Sequence, residues 1–262
     1  MSTAQKTNPR DLKQITSQGF YVAAPDGTAF GFNNNRDIDR VLGFLSKGLA
    51  DYKKSNVAVA SISDEEVNAT FTRKPSEPVS YVRVFARIKP VPDGCDGANH
   101  NVARDHVWIY KSDLEQFVGK TSKFAMPAEM MNRLVRYHLV DNIRGEPVFW
   151  SAQEVKSAAF TVTPKGKDVF TFSGAYRMAT VDNGRGLEGK LDGELRIDAA
   201  KMEAKSFKAY GEAKAWGAGP YTPNPPPGKF PLVFAFVSVN DEMAKATPPQ
   251  AAAYGDYEYK KG

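Results

Sequence analysis

The sequence predicts an α+β protein, in which a mixed N-terminal region with two amphipathic helices precedes an antiparallel β-meander that is either barrel-like or a curved sheet. Two observations predict this class. Apolar residues recur at helical spacing in two segments before residue 150, whereas beyond it polar and apolar residues alternate, as in strands with one face in water. The 262 residues, 42% of them hydrophobic and 25% charged, are ordinary for a globular chain.

The N-terminal region opens with a polar segment, residues 1–18, that we expect to be flexible. Gly19–Ala24 and Thr28–Phe32 are then typical of two short strands. The tripeptide Pro25-Asp26-Gly27 between them is typical of a turn. The segment is therefore predicted to form a β-hairpin.

The first amphipathic helix follows this hairpin, and its apolar stripe consists of Ile38, Val41, Leu42, Leu45 and Leu49. Asp37 at its start and Lys53 and Lys54 at its end suit the helix dipole. Over residues 19–50, the hairpin and helix together resemble the closing β-β-α unit of thioredoxin-like domains. The catalytic CxxC motif of that family is absent, so the resemblance implies no redox role.

The remainder of the mixed region, which spans residues 19–150 in all, contains two predicted strands, Val79–Lys89 and His106–Tyr110. Pro127 opens the second amphipathic helix, whose stripe consists of Met131, Leu134, Val135, His138 and Leu139. Gly145 and the proline beyond it end this helix. Because His138 lies on the apolar stripe, it is predicted to be a core histidine with a hydrogen-bond partner.

Residues 151–240 are predicted to form the antiparallel β-region. Over 187–197, apolar or glycine residues alternate with charged residues, so Leu191 and Leu195 are predicted to lie in the core. Val233–Val239 is an apolar run that could close the sheet. Residues 241–262 are predicted to form a loose tail. The sequence leaves open whether the two regions are separate domains.

The net charge of +5 is spread along the chain and includes no long run of lysine and arginine. Since nucleic-acid-binding proteins usually cluster their positive charge, this class is not favoured. A single cysteine excludes an internal disulfide framework. No stretch has the length of an apolar membrane span and no signal peptide is visible, but a processed secreted chain would look the same.

One candidate metal site combines Cys95, His100 and His106, which would lie on one loop and the strand after it. Sulfur and imidazole ligands suit copper or zinc. The spacing matches no standard zinc module, and the alternative is a surface loop that happens to hold these residues. A metal- or thiol-dependent enzyme, or a metal carrier, would use this site.

A second candidate site is a sheet face that carries arginine and aromatic side chains. Strand alternation places its candidate members on one side of the two predicted strands: Tyr81, Arg83, Phe85, Arg87, Trp108 and Tyr110. If the strands pair, this face could bind a planar or anionic ligand, or an extended partner surface, by stacking and charge-assisted hydrogen bonds. Alternatively, the face packs beneath the second helix.

A third candidate site is a rim formed by Trp216 and Tyr221 beside the proline-rich loop 220–231, although aromatic residues there could also plug the end of a barrel. Gly184, Gly186 and Gly189 match the spacing of a dinucleotide fingerprint. That fingerprint must open a helix, whereas here a strand follows, so the glycines are predicted to form a hairpin turn.

The function that these observations favour is non-catalytic binding, of a small ligand or a protein partner, on the arginine–aromatic face or the meander. The alternatives are the metal or thiol protein described above and a structural or assembly component that uses the proline-rich loop and the Tyr-rich tail as contacts. No cofactor is indicated apart from the copper or zinc ion.

Overall fold

The computed structural model describes residues 19–24, 28–35, 37–55, 57, 74–90, 102–254 and 257. Contacts between residues divide the chain into two units, Met1–Asn68 and Ala69–Gly262. No helix among the described residues is both long and apolar enough to cross a bilayer.

The first unit contains a hairpin and a helix, as predicted: β1 (Phe20–Ala23), β2 (Ala29–Asn33) and α1 (Ile38–Lys54). The strands pair in antiparallel fashion. The side chain of Asp37 caps α1 by accepting a hydrogen bond of 3.0 Å from the Arg40 backbone N–H. Gly48 is buried against Val22, so a side chain at this position would collide with the valine.

The second unit is built on one eight-stranded sheet whose neighbours are all antiparallel. Its strands are β3 (Val79–Ile88), β4 (Ala103–Tyr110), β5 (Phe124–Ala125), β6 (Val155–Gly166), β7 (Val169–Ala179), β8 (Gly186–Asp198), β9 (Glu203–Trp216) and β10 (Phe230–Ser238). The spatial order is β4-β3-β10-β9-β8-β7-β6-β5. The sheet therefore joins three strands from the predicted mixed region, β3, β4 and β5, to the meander.

The sheet is not closed, so the barrel-like alternative is wrong. Its inner face, which carries Val84, Leu191 and Phe234, packs against the helical segment between β4 and β6, including Leu134. These side chains fill the space that a closed barrel would enclose. Leu191 and Leu195 are fully buried, as predicted.

Helices in the second unit are short: α2 (Lys111–Glu115), α3 (Ala128–Arg133), a π-helix (Leu134–His138), a 3₁₀-helix (Ala152–Glu154), α4 (Glu242–Ala246) and a second 3₁₀-helix (Gln250–Tyr254). The prediction of two amphipathic helices was wrong, since α1 is the only long helix among the described residues. The second predicted helix is a short α-helix, α3, followed by the π-helix. The second helical segment ends at His138, and two carbonyls near its end accept hydrogen bonds from Trp150. The Trp150 indole N–H donates to the Leu139 carbonyl over 3.0 Å, and the Trp150 backbone N–H donates to the Arg136 carbonyl over 3.1 Å.

Short turns join β6 to β7, β7 to β8 and β8 to β9, and the meander includes one strand, β6, that the sequence did not reveal. Register shifts near Val155 and Pro164 break the alternation of β6. The glycine-rich segment forms the β7–β8 turn as predicted, with the Thr180 backbone N–H donating to the Arg185 carbonyl over 2.9 Å and β8 beginning at Gly186.

Candidate functional site

The candidate site lies on the outer face of the sheet, opposite the core. β3 pairs with β4 and with β10, and β10 pairs with β9. The register places Phe85 opposite Ala235, and Ala235 opposite Tyr210. These three side chains form a line across β3, β10 and β9, which we call the aromatic row. Neighbouring strands lie about 4.8 Å apart, so the two aromatic residues are about 10 Å apart with a small alanine between them.

The aromatic row is accessible to solvent. Tyr210 is 51% exposed, Ala235 is exposed, and Phe85 is partly buried. On β10, Val233 and Val237 stand on either side of Ala235 on the same face, and Val237 is 37% exposed. These residues form an apolar patch on the surface. Contiguous exposed apolar patches often mark interaction sites.

Charged residues surround this patch. Arg87 lies opposite Val233 on β3, and Lys208 lies opposite Val237 on β9. Tyr210 donates to Glu212 Oε1 over 3.0 Å, and this bond raises the pKa of the tyrosine. An open groove runs past the row; its lining includes Lys89, Pro90, Lys190, Asp192, Tyr210, Glu212 and Val233.

The β4 end of the same face is covered by the chain itself. Trp108 and Tyr110 are buried in a cluster with Tyr137, Ala251, Ala252 and Tyr257. The rings of Trp108 and Tyr257 meet edge to face, with centroids 5.6 Å apart. Tyr81 packs against the edge of this cluster. We call these residues the covered end. The face is thus partly beneath the helical segment, through Tyr137, and partly beneath the C-terminal residues.

Arg83 lies between the covered end and the aromatic row, and its charge is used within the protein. It forms an ion pair with Asp241, with a shortest distance of 3.1 Å, and Asp241 also caps α4. Arg83 Nε donates to His106 Nε2 over 3.4 Å. Burial and the nearby Arg83 charge lower the pKa of His106, and the carboxylate of Asp105 opposes this. Of the two predicted arginines, Arg87 is the exposed one.

A buried polar chain fixes the covered end. The Trp108 backbone N–H donates to the Tyr257 hydroxyl over 3.1 Å, and that hydroxyl lies 2.7 Å from His138 Nε2. His138 Nδ1 faces Asp105 Oδ2 at 3.3 Å, and Asp105 Oδ1 accepts from the Gln250 backbone N–H. His138 is a core histidine with a partner, as predicted. Burial raises the pKa of Tyr257.

The other predicted site residues are not brought together with the aromatic row. Trp216 packs on Gly186 and donates to the Asn183 carbonyl over 2.9 Å. Tyr221, 64% exposed, lies beside the proline-rich loop, whose backbone accepts hydrogen bonds from Arg144. The rim formed by Trp216 and Tyr221 stays a prediction.

The predicted metal site cannot be assembled from the described residues. Cys95 and His100 lie outside them, and His106 is 4% exposed. Within the part of the chain that the structure describes, no three His, Cys, Asp or Glu side chains are grouped to hold a metal ion.

Sequence reasoning missed four members of the patch, Tyr210, Val233, Ala235 and Val237. The signal for Tyr210 was present, because the alternation of β9 puts it on the wet face with Lys208 and Glu212. An aromatic residue on a wet face is a candidate for a contact surface. In comparisons with known proteins, no family model, no curated protein and no solved structure matches the chain. The candidate site therefore stands on its own geometry: an exposed apolar patch, centred on the aromatic row and surrounded by charge.

Proposed function

We propose that the protein is a non-catalytic binding protein that contacts a protein partner through the aromatic row. The observation that carries this proposal is the exposure of Tyr210 beside Phe85, Ala235 and Val237 on the outer face of the sheet. Tyrosine and phenylalanine are enriched where proteins meet, because they bury a large area at a small cost in conformational entropy.

The shape of the surface favours a protein over a small molecule. Small ligands bind in clefts that enclose most of their surface. The groove beside Tyr210 is open, and its floor is a sheet face. An apolar centre surrounded by Arg87, Lys208 and Glu212 matches the arrangement of protein–protein contacts, in which charged residues surround the buried centre.

The metal or thiol alternative receives less support from the described residues. His106, the one described member of the metal set, accepts a hydrogen bond from the cationic Arg83. A second cation at His106 Nε2 would be repelled by this guanidinium. The assembly alternative would use the proline-rich loop, so Tyr221 serves as its marker.

The test is affinity capture with the full chain immobilised and a soluble extract of the cells that express it. Tyr210→Ser, alone and with Phe85→Ser, is expected to reduce partner recovery about tenfold or more, as loss of a central aromatic contact does. Tyr221→Ser is the matched control, since it removes an equally exposed tyrosine elsewhere, and should leave recovery unchanged. Thermal unfolding of each variant checks that the fold is retained.

Two results would contradict the proposal. If the folded Tyr210→Ser variant recovers the same partners in the same amounts, the aromatic row is not the contact site. If Tyr221→Ser loses them instead, the proline-rich loop is the contact site and the assembly alternative is favoured.

A further inference from the structure

The helix α1 exposes large apolar side chains, and Gly48 alone is buried among its residues. Its hairpin side carries Phe44 against Gly31, Gly48 against Val22 and Tyr52 against Phe30. A separate stripe faces water: Ile38 is 65% exposed, Leu42 54%, Leu45 43% and Leu49 51%. Four large aliphatic residues in a line on one helix are a larger exposed patch than isolated surface hydrophobics produce.

The spacing of this stripe is that of a helix–helix contact. The intervals between Ile38, Leu42, Leu45 and Leu49 are four, three and four residues. This is the a/d pattern of a coiled-coil seam, which keeps apolar side chains facing one partner helix. The hairpin contacts a different side of α1, through Phe44 against Gly31 and Gly48 against Val22. The seam is therefore available while the first unit keeps its own packing.

The charges on α1 indicate which partner fits the seam. Asp37 and Asp39 are at the N-terminal end, whereas Lys53 and Lys54 are at the C-terminal end. A second copy of the same helix in antiparallel orientation would bring each acidic end to a basic end and oppose the two helix dipoles. A parallel copy would place like charges together.

We infer that the α1 stripe is the contact through which two copies of this chain pair, with their α1 helices antiparallel. A two-fold axis between Leu42 and Leu45 places Ile38 level with Leu49 of the second copy. With a rise of 1.5 Å per residue, Lys53 then lies about 5 Å along the axis from Asp37 of the second copy, within reach of a lysine side chain. The contact is isologous and closes as a dimer.

The first test is the mass of the full chain in solution, measured by light scattering or sedimentation over a range of concentrations. The parent is expected to be a dimer, and the double variant Leu42→Glu, Leu45→Glu is expected to have half that mass. The control is Gly43→Glu, Ala50→Glu, which adds the same charge to exposed positions away from the seam and should stay dimeric. A parent that is monomeric at every concentration overturns the inference.

A second test does not depend on the charged variants. In a Cys95→Ser background, chains with Ile38→Cys and chains with Leu49→Cys are mixed and oxidised. Antiparallel pairing predicts disulfides between the two kinds of chain in preference to disulfides between two Ile38→Cys chains. Preferential linkage of two Ile38→Cys chains contradicts the antiparallel arrangement. Thiols that stay unreactive in a monomeric chain show instead that a segment of the same chain covers the stripe, which also overturns the inference.

Discussion

The outer sheet face carries aromatic residues at two ends, and the surroundings of these residues differ between the ends. At the covered end, Trp108 and Tyr110 lie beneath Ala251, Ala252 and Tyr257. In the aromatic row, which crosses β3, β10 and β9, Phe85 and Tyr210 remain at the surface with Ala235 between them. Aromatic residues on a strand therefore do not by themselves decide between a core and a surface position. The residues that the rest of the chain places over them decide it.

The largest effect is expected at the covered end. Tyr257→Ala should reduce the free energy of unfolding by about 3–5 kcal/mol, because it empties a fully buried aromatic site and leaves His138 Nε2 and the Trp108 N–H without their partner. Chemical denaturation measures this change, with Tyr221→Ala as the exposed control. A loss below about 1 kcal/mol would show that the C-terminal residues contribute little to the covered end.

The two faces of the sheet should also differ in sensitivity. Leu195→Ala on the inner face is expected to cost about 2–5 kcal/mol, because it leaves a cavity in the core. Tyr210→Ala on the outer face should change the free energy of unfolding by less than about 1 kcal/mol, as exposed substitutions do. Similar losses from both variants would mean that the outer face is a second core, and the comparison would fail.

A smaller effect concerns pH. Burial, and then Arg83, hold the pKa of His106 below its ordinary value of 6.5. Since the unfolded chain binds this proton more readily, His106 contributes stability above pH 6.5 that is lost as the pH falls toward the lowered pKa. His106→Gln should therefore flatten the pH dependence of the unfolding free energy below this value. A slope equal to that of the parent would contradict this assignment.

The sequence pattern correctly predicted elements that have one face in water. Residues 187–197 alternate because one face of β8 is wet, and α1 has a helical stripe with charges at both ends. The end of the second helix at His138 was not predicted, and the residue that binds the Leu139 carbonyl just beyond it, Trp150, lies 11 positions away. The aromatic face was placed correctly on β3 and β4 by alternation.

The sequence did not predict that C-terminal residues pack over one end of that face. The contact between Trp108 and Tyr257 joins residues 149 positions apart, and no local pattern encodes it. The same limit hid the aromatic row, since Phe85 and Tyr210 meet only through the pairing of β3 and β9 with β10. Sequence reasoning therefore found one end of the face and missed the neighbours that make its other end a surface.

The most direct measurement of the central claim is hydroxyl-radical footprinting of the full chain, alone and bound to a captured protein partner. If the aromatic row is the contact site, Phe85 and Tyr210 become protected on binding, while Tyr221 keeps its reactivity. Trp108 and Tyr257 should be unreactive in both states because the chain already covers them. Unchanged reactivity of Phe85 and Tyr210 in the bound state would contradict the proposed site.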